Sequence, residues 1–290
     1  MSNPEQIRNW QNALEGAIEY AGSGGKRYLN RAVVVAEALS TQDLARAHGE
    51  QAAGVVVAAL RQTGGRGRLG RSWADTAALG VAVSMAIDVR GVEVLARPGV
   101  LALVAGLAAL RAVRSQHCTP ESLGMKWPND VVERASGRKL AGVLIEQFGT
   151  LAVIGVGVNV LQRAEDFPPE LGDSAISILE SDVAGALHTE RVLKREDVAA
   201  AVVREVSHGL AMVDQIGLVE NLEREFAAAD VLRGSTQTLI CDGVSYRGRI
   251  LSVEPLQQIT IATSQGTRVL DAAKTQMERF QKPSRRERTR

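Results

Sequence analysis

The sequence predicts an α+β chain, with strands and helices interleaved over residues 31–230 and a small β-barrel of the SH3-like kind over 231–280. Three observations predict it. Short apolar runs rich in valine and alanine, such as Gly54 to Leu60 and Gly80 to Ile87, read as buried strands. Longer runs, Pro98 to Arg114, Glu196 to Ile216 and Leu218 to Ala229, carry helical composition or periodicity. Beyond residue 230 the apolar runs shorten and are punctuated by glycines and Pro255, as in a small barrel.

Taken in order, residues 1–30 are polar and predict an N-terminal extension: a helix over Pro4 to Tyr20, then a flexible link at Gly22-Ser23-Gly24-Gly25. Ser40 and Thr41 stand where a helix N-cap belongs, before Gln42 to Ala47. Pro98 to Arg114 is apolar nearly all round, so it is buried between a sheet and its neighbours. Lys139 to Gln147 and Leu151 to Val160 read as two strands joined by Gly149-Thr150, a hairpin. The edge of that hairpin offers a homodimer surface, although nothing chooses dimer over monomer. Two amphipathic helices follow, and then short strands at Thr236 to Cys241, Ser245 to Val253, Gln258 to Thr263 and Arg268 to Leu270. The tail 281–290 is basic and without hydrophobic residues, which predicts disorder.

Bulk properties exclude several classes. The 290 residues are 45% hydrophobic with a formal net charge of +1, which argues against a protein whose main task is binding nucleic acid. Cys118 and Cys241 lie outside metal or redox spacing, and the four histidines form no ligand pattern, so no structural metal is expected. Val100 to Val113 is too short, and too interrupted by Arg111, to span a bilayer. A cytoplasmic protein without membrane attachment is expected.

The densest chemistry lies in Gly64-Gly65-Arg66-Gly67-Arg68-Leu69-Gly70-Arg71-Ser72-Trp73, three arginines among four glycines. Glycine lets main chain approach a ligand, and arginine supplies fixed donors for phosphate or carboxylate. The composition says anion site, not which anion. Gly65, Gly67 and Gly70 have dinucleotide-loop spacing, with Asp88 as the ribose acid, but that fingerprint needs a full helix next. Trp73 to Leu79 leaves room for only about two turns. A phosphate loop of the G-x-x-x-x-G-K kind would need lysine where Arg71 stands. A solvated basic turn is the bland alternative.

Downstream come Lys126-Trp127-Pro128-Asn129-Asp130, Arg138-Lys139-Leu140-Ala141-Gly142-Val143-Leu144-Ile145-Glu146, and Gly155-Val156-Gly157-Val158-Asn159. With the glycine–arginine loop, in this order and at these intervals, the set resembles biotin protein ligases, the biotin–[acetyl-CoA-carboxylase] ligases. The resemblance is strong from Val33 to Asn159 and weaker to about Met277. It implies a mixed sheet flanked by helices, related to the class II aminoacyl-tRNA synthetase fold, followed by an SH3-like domain. Some members carry an N-terminal helix-turn-helix module. Here about 30 residues precede the first strand, so the form without that module, and no specific nucleic-acid binding, is expected.

The implied reaction has two steps: biotin is activated by ATP and Mg²⁺ as biotinyl-5′-AMP, then passed to a lysine of a biotin carboxyl carrier domain. The first step brings anion against anion, so positive charge and positioning must carry it. By the resemblance Gly65, Arg66, Gly67 and Arg68 hold carboxylate and phosphate, and Lys139 contacts biotin and the bridging oxygen; a solvated strand-end lysine is the plain alternative. Lys126 meets phosphates. Asp130 orients the incoming lysine or accepts its proton, or is simply an Asx-turn residue beside Asn129. Ser40, Thr41 and Gln62 match biotin contacts, Trp73 a covering aromatic, and Asn159 a nucleotide contact. Gly142, Gly155 and Gly157 mark close approach on apolar strands, for which packing is a comparable explanation. Glu146 reads as a strand-edge charge.

Two departures stand out. The family has Asp-Ser-Thr-Asn where this chain has Leu39-Ser40-Thr41-Gln42, which lengthens the amide's reach and leaves the contact of Gln42 open. The barrel has Leu270-Asp271-Ala272-Ala273-Lys274 where a Gly-Glu pair is usual. The alternatives are a lipoate or octanoate ligase, whose loop carries consecutive glycines and a histidine-bearing segment, and a non-catalytic biotin sensor.

Overall fold

The computed structural model describes residues 4–21, 27–74, 78–97, 99–117, 119–181, 192–212 and 217–278. The chain forms two compact units, Met1–Ala229 and Asp230–Arg290. The glycine link at 22–25 and the basic tail 281–290 lie outside the described residues.

In the larger unit β1 (Arg31–Ala38), α2 (Thr41–Gln51) and β2 (Val55–Gln62) form a crossover, with β1 and β2 parallel. Every other pairing in the sheet is antiparallel, so the sheet is mixed. Its seven strands run β1-β2-β5-β9-β8-β7-β6, where β5 is Val81–Asp88, β6 Leu123–Lys126, β7 Asp130–Glu133, β8 Lys139–Phe148 and β9 Leu151–Val158. Two-residue strands β3 (Gly65–Arg66) and β4 (Ser72–Trp73) pair separately. On one face α2 closes a core of Ala45, Val55, Val57, Ala86 and Val153. The other face is covered by α4 (Val100–Ser115), which follows the short α3 (Glu93–Ala96). A second short helix, α5 (Ile178–Ser181), precedes α6 (Arg195–Ala211) and α7 (Leu218–Ala229). Helices α4 and α6 approach closely because Gly209 leaves room: a Cβ there would lie 2.9 Å from Val104 Cγ1.

Three expectations are corrected. The N-terminal helix α1 (Pro4–Ala21) is no outlying extension: Trp10 and Leu14 are fully buried, and the helix packs on α6 and β1. The hairpin β8–β9 is only in part a sheet edge: β5 pairs along β9, and β7 pairs with β8 over Lys139–Gly142, so the edge the hairpin offers is confined to the later part of β8. Asp130 is not in a tight turn but opens β7 opposite Lys126.

One buried guanidinium ties these layers together. Arg195, the first residue of α6, donates through Nε to the Gly80 carbonyl and through Nη2 to that of Leu60, both at 2.6 Å. These carbonyls lie just past Ala59–Ala82, where the β2–β5 ladder ends. The guanidinium also sits 5.1 Å from the Trp10 ring of α1. Arg195→Met leaves two buried acceptors short of a donor, each costing about 1–3 kcal/mol. The expected fall in melting temperature is roughly 5–10 °C, and a melting curve indistinguishable from wild type would remove this role.

The smaller unit is a five-stranded antiparallel sheet, order β13-β12-β11-β10-β14: β10 Thr236–Cys241, β11 Val244–Glu254, β12 Gln258–Thr263, β13 Gly266–Asp271 and β14 Thr275–Met277. Asp242 and Gly243, at φ 49° and 79°, make the two-residue turn from β10 to β11. Asp271, in the segment that departs from the family pattern, accepts from Ala273 N at 2.8 Å and starts a 3₁₀ turn, Ala272–Lys274, before the closing strand.

Candidate active site

The sheet face beneath α2 has a floor of glycines. Gly142 of β8 pairs with Gly157 of β9, and Leu144 pairs with Gly155, so the three glycines share one face. A Cβ on Gly142 would lie 2.5 Å from Lys139 Nζ, one on Gly155 2.6 Å from Gln42 Oε1, and one on Gly157 2.5 Å from the Trp73 ring. Bare strands therefore let the side chains of Lys139, Gln42 and Trp73 lie flat on the sheet.

The N-terminus of α2 forms one wall. Ser40 is its N-cap by backbone, yet its side chain makes no capping bond, and Oγ is buried without a hydrogen-bond partner. Thr41 donates from N and from Oγ1 to Gln62 Oε1, at 2.8 and 3.0 Å. With that hydrogen spent, Ser84 Oγ, 2.9 Å away, is the donor to Thr41 Oγ1. Gln42 donates from Nε2 to Glu146 Oε2 at 2.9 Å, and its Oε1 is buried without a partner.

The glycine–arginine loop forms the second wall. Its root is pinned where Thr63 N donates to Ala38 O and Gly64 N to Leu39 O, at 2.9 and 2.7 Å. Ser72 and Trp73 are a strand rather than the start of a short helix, because they pair with Arg66 and Gly65. Gly65 is needed for closeness: a Cβ would lie 2.5 Å from the Trp73 carbonyl oxygen. Gly67 is different, with only ordinary contact at 3.5 Å to Arg71 O, so it leaves open room beside the main chain. Arg66 donates through Nη1 to Asp43 at 2.7 and 2.8 Å and through Nη2 to Glu146 at 2.9 Å. Its pKa stands above the ordinary arginine value, chiefly through the bond to Asp43, with Glu146 adding to it against the effect of burial. Arg68 reaches Asn129 Oδ1 at 3.4 Å; burial lowers its pKa, Asp130 opposes that, and Arg71 adds to it.

The third wall is the turn between β6 and β7, where the Trp127–Pro128 bond is cis. Asn129 holds this turn on β8: its side-chain amide donates to the Val143 carbonyl, and Val143 N donates to Asn129 O at 3.2 Å. Lys139 Nζ is 2.6 Å from Asp130 Oδ1 and 5.4 Å from the centre of the Trp73 ring. Burial pushes the Lys126 pKa down; Asp130 opposes the shift, and Lys139 and Arg71 reinforce it. Arg68, Lys126 and Lys139 thus share the field of Asp130, and Arg71 adds its charge beside Arg68 and Lys126, an arrangement suited to a polyanion. Asn159 spends its amide hydrogens on the carbonyls of Lys139 and Ile176, both at 3.2 Å, so it holds the strand that carries Lys139.

Sequence reasoning misses two members of this cluster. Asp43 carries no signal of its own beside Ser40–Gln42. Glu146 reads as an edge charge, although its parity with Gly142 and Leu144 places it on the site face. Among the described residues no three His, Cys, Asp or Glu side chains converge as a metal cage, and no helix is long and apolar enough to cross a membrane.

Residues 36–159 match the model of the Biotin/lipoate A/B protein ligase family. The chain is 40% identical over 200 residues to the biotin–[acetyl-CoA-carboxylase] ligase of Mycobacterium tuberculosis, covering 68% of each chain. It is 30% identical over 182 residues to the bifunctional ligase/repressor BirA of Escherichia coli, where the match spans 61% of this chain and only 52% of that protein. In fold it is similar to the biotin protein ligase of Aquifex aeolicus solved in complex with biotin and ATP, with TM-score 0.70 and 24% identity over 86% of this chain and 99% of that one.

Proposed function

The chain belongs to the biotin protein ligase family, and from that premise we propose how its residues divide the work of activating biotin and transferring it to a carrier lysine. A biotin carboxylate oxygen attacks the α-phosphorus of ATP, pyrophosphate leaves, and biotinyl-5′-AMP forms. The carrier amine then attacks the acyl carbon, AMP leaves and the amine loses a proton. The observation that carries the assignment is the adjacency of two unlike surfaces. Around Ser40, Thr41, Gln42 and Gln62 lie buried polar atoms, two of them unpartnered, suited to a ureido head. Beside them stand Arg68, Arg71, Lys126 and Lys139.

In this reading Lys139 and the loop arginines neutralise charge as carboxylate meets phosphate. Asp130 holds Lys139 in place and is the acceptor nearest to it for a proton from the incoming amine. Trp73 covers the ligand from the loop, excluding water from an anhydride that hydrolyses readily. Mg²⁺ bound with ATP would supply further charge neutralisation at the phosphates, for which no all-protein cage is needed. The carrier is the biotin carboxyl carrier domain of a carboxylase, and the ATP-dependent reaction sets the enzyme in the cytoplasm.

Exchange of labelled pyrophosphate into ATP tests this without knowledge of the carrier. Biotin is expected to support exchange, and lipoate and octanoate are not. Exchange with lipoate instead would move the chain to the neighbouring ligases. Biotin binding without exchange would make it a sensor.

A further inference from the structure

We propose that Glu146 is a positioning residue for biotin recognition: it fixes the Gln42 amide with its oxygen toward the ligand and couples that amide to Arg66 of the loop. The inference rests on the biotin ligase reading above. A glutamine amide has a donor end and an acceptor end, and either can face a cavity. An ionised carboxylate only accepts, so the end of Gln42 that meets Glu146 at 2.9 Å must be Nε2. Oε1 is thereby the free end, buried and without a partner. A buried carbonyl left unpaired is unfavourable, so this position calls for an N–H from whatever binds there.

The surroundings fit that demand. Gly155 lets the amide oxygen lie on the sheet, since a Cβ would come within 2.6 Å of it. The hydroxyl of Ser40, two residues earlier, is also buried without a partner and is able to donate. An acceptor and a donor at one end of α2 match a cyclic urea, whose N–H groups flank its carbonyl. The same Glu146 carboxylate accepts from Arg66 at 2.9 Å. One side chain thus sets both the polarity of the biotin pocket and the resting place of the loop's first arginine.

The test is the biotin KM and the ATP KM in pyrophosphate exchange by the full chain, for wild type, Glu146→Gln, Gln42→Leu and the double variant. Glutamine at 146 is neutral and accepts through one oxygen, on which Arg66 also draws, so its hold on one orientation of the Gln42 amide weakens. The expected result is a biotin KM at least about tenfold higher in each single variant, from loss of one well-placed hydrogen bond to a buried group. The ATP KM should stay within about threefold of wild type, because Asp43 still holds Arg66 through Nη1, and the double variant should be no worse than Gln42→Leu, because Glu146 acts on biotin through Gln42. A biotin KM within about twofold of wild type in Glu146→Gln would overturn the proposal. Equal rises in both KM values, or additive effects in the double variant, would overturn it too. Gln42→Leu supplies the reading on the amide if Glu146→Gln does not fold. A wild-type chain that exchanges with no acid fails at the ligase reading itself, which separates the two failures.

Discussion

Lys139→Ala is expected to lower biotin-dependent pyrophosphate exchange by about a hundredfold or more, the usual loss when one preorganised charge is removed from a developing anion. The fold should survive. Lys139 is the first residue of β8, and what anchors that strand end is main chain: its N–H donates to Ser174 O at 2.9 Å, and its carbonyl accepts from Asn159 at 3.2 Å. Neither bond involves the side chain. The Nζ–Asp130 pair is part-exposed on both sides, so its loss leaves a solvated carboxylate at little cost in stability. Arginine should not substitute. Its planar fork is longer and cannot lie in the space above Gly142, where the lysine nitrogen would come 2.5 Å from a Cβ. Melting curves alongside exchange rates decide the matter: rates near wild type in a folded Lys139→Ala protein would remove the residue from the chemistry.

Gly65→Ala should be nearly as damaging, for a reason of shape rather than charge. Its methyl would sit 2.5 Å from the Trp73 carbonyl oxygen and 2.4 Å from Gln62 Nε2. The carbonyl is backbone and belongs to the pairing of β3 with β4 that closes the loop. Relief therefore requires the two strands to part, which displaces Arg66 on one side and Trp73 on the other. Misplacement of reacting groups by about 1 Å is worth on the order of a hundredfold in rate. The defect should appear in kcat/KM for both biotin and ATP, because the same shift disturbs Gln62 and the loop arginines. Unaltered constants in the Gly65→Ala protein would show that the loop closes some other way.

The parts of this fold legible in the sequence are those set locally. β2 and β5 show as apolar runs because both of their faces are buried. The hairpin β8–β9 shows because Gly149, at φ 61°, breaks it where a turn must reverse. Strand order is not local, and so the sequence alone suggests an edge along the whole hairpin, where β5 in fact covers β9 and β7 covers the start of β8. β6 and β7, four residues each, are too short to signal a period. In α1 the inward residues Trp10, Leu14 and Ile18 recur every fourth position, yet the polar surroundings conceal that stripe. The candidate site divides the same way. Its glycines, lysines and arginines stand in compact blocks, whereas the pairing of Arg66 with Glu146 spans 80 positions and exists only after the sheet has assembled.

The glycine floor also bears on how such a protein escapes an inhibitor. A compound lying on Gly142, Gly155 and Gly157 rests on main chain, which substitution does not erase. Adding a side chain there to expel the compound drives Lys139, Gln42 or Trp73 from its seat. Resistance has to arise at the rim, among the residues assigned to the enzyme's own substrates, so each escape mutation carries a penalty in turnover.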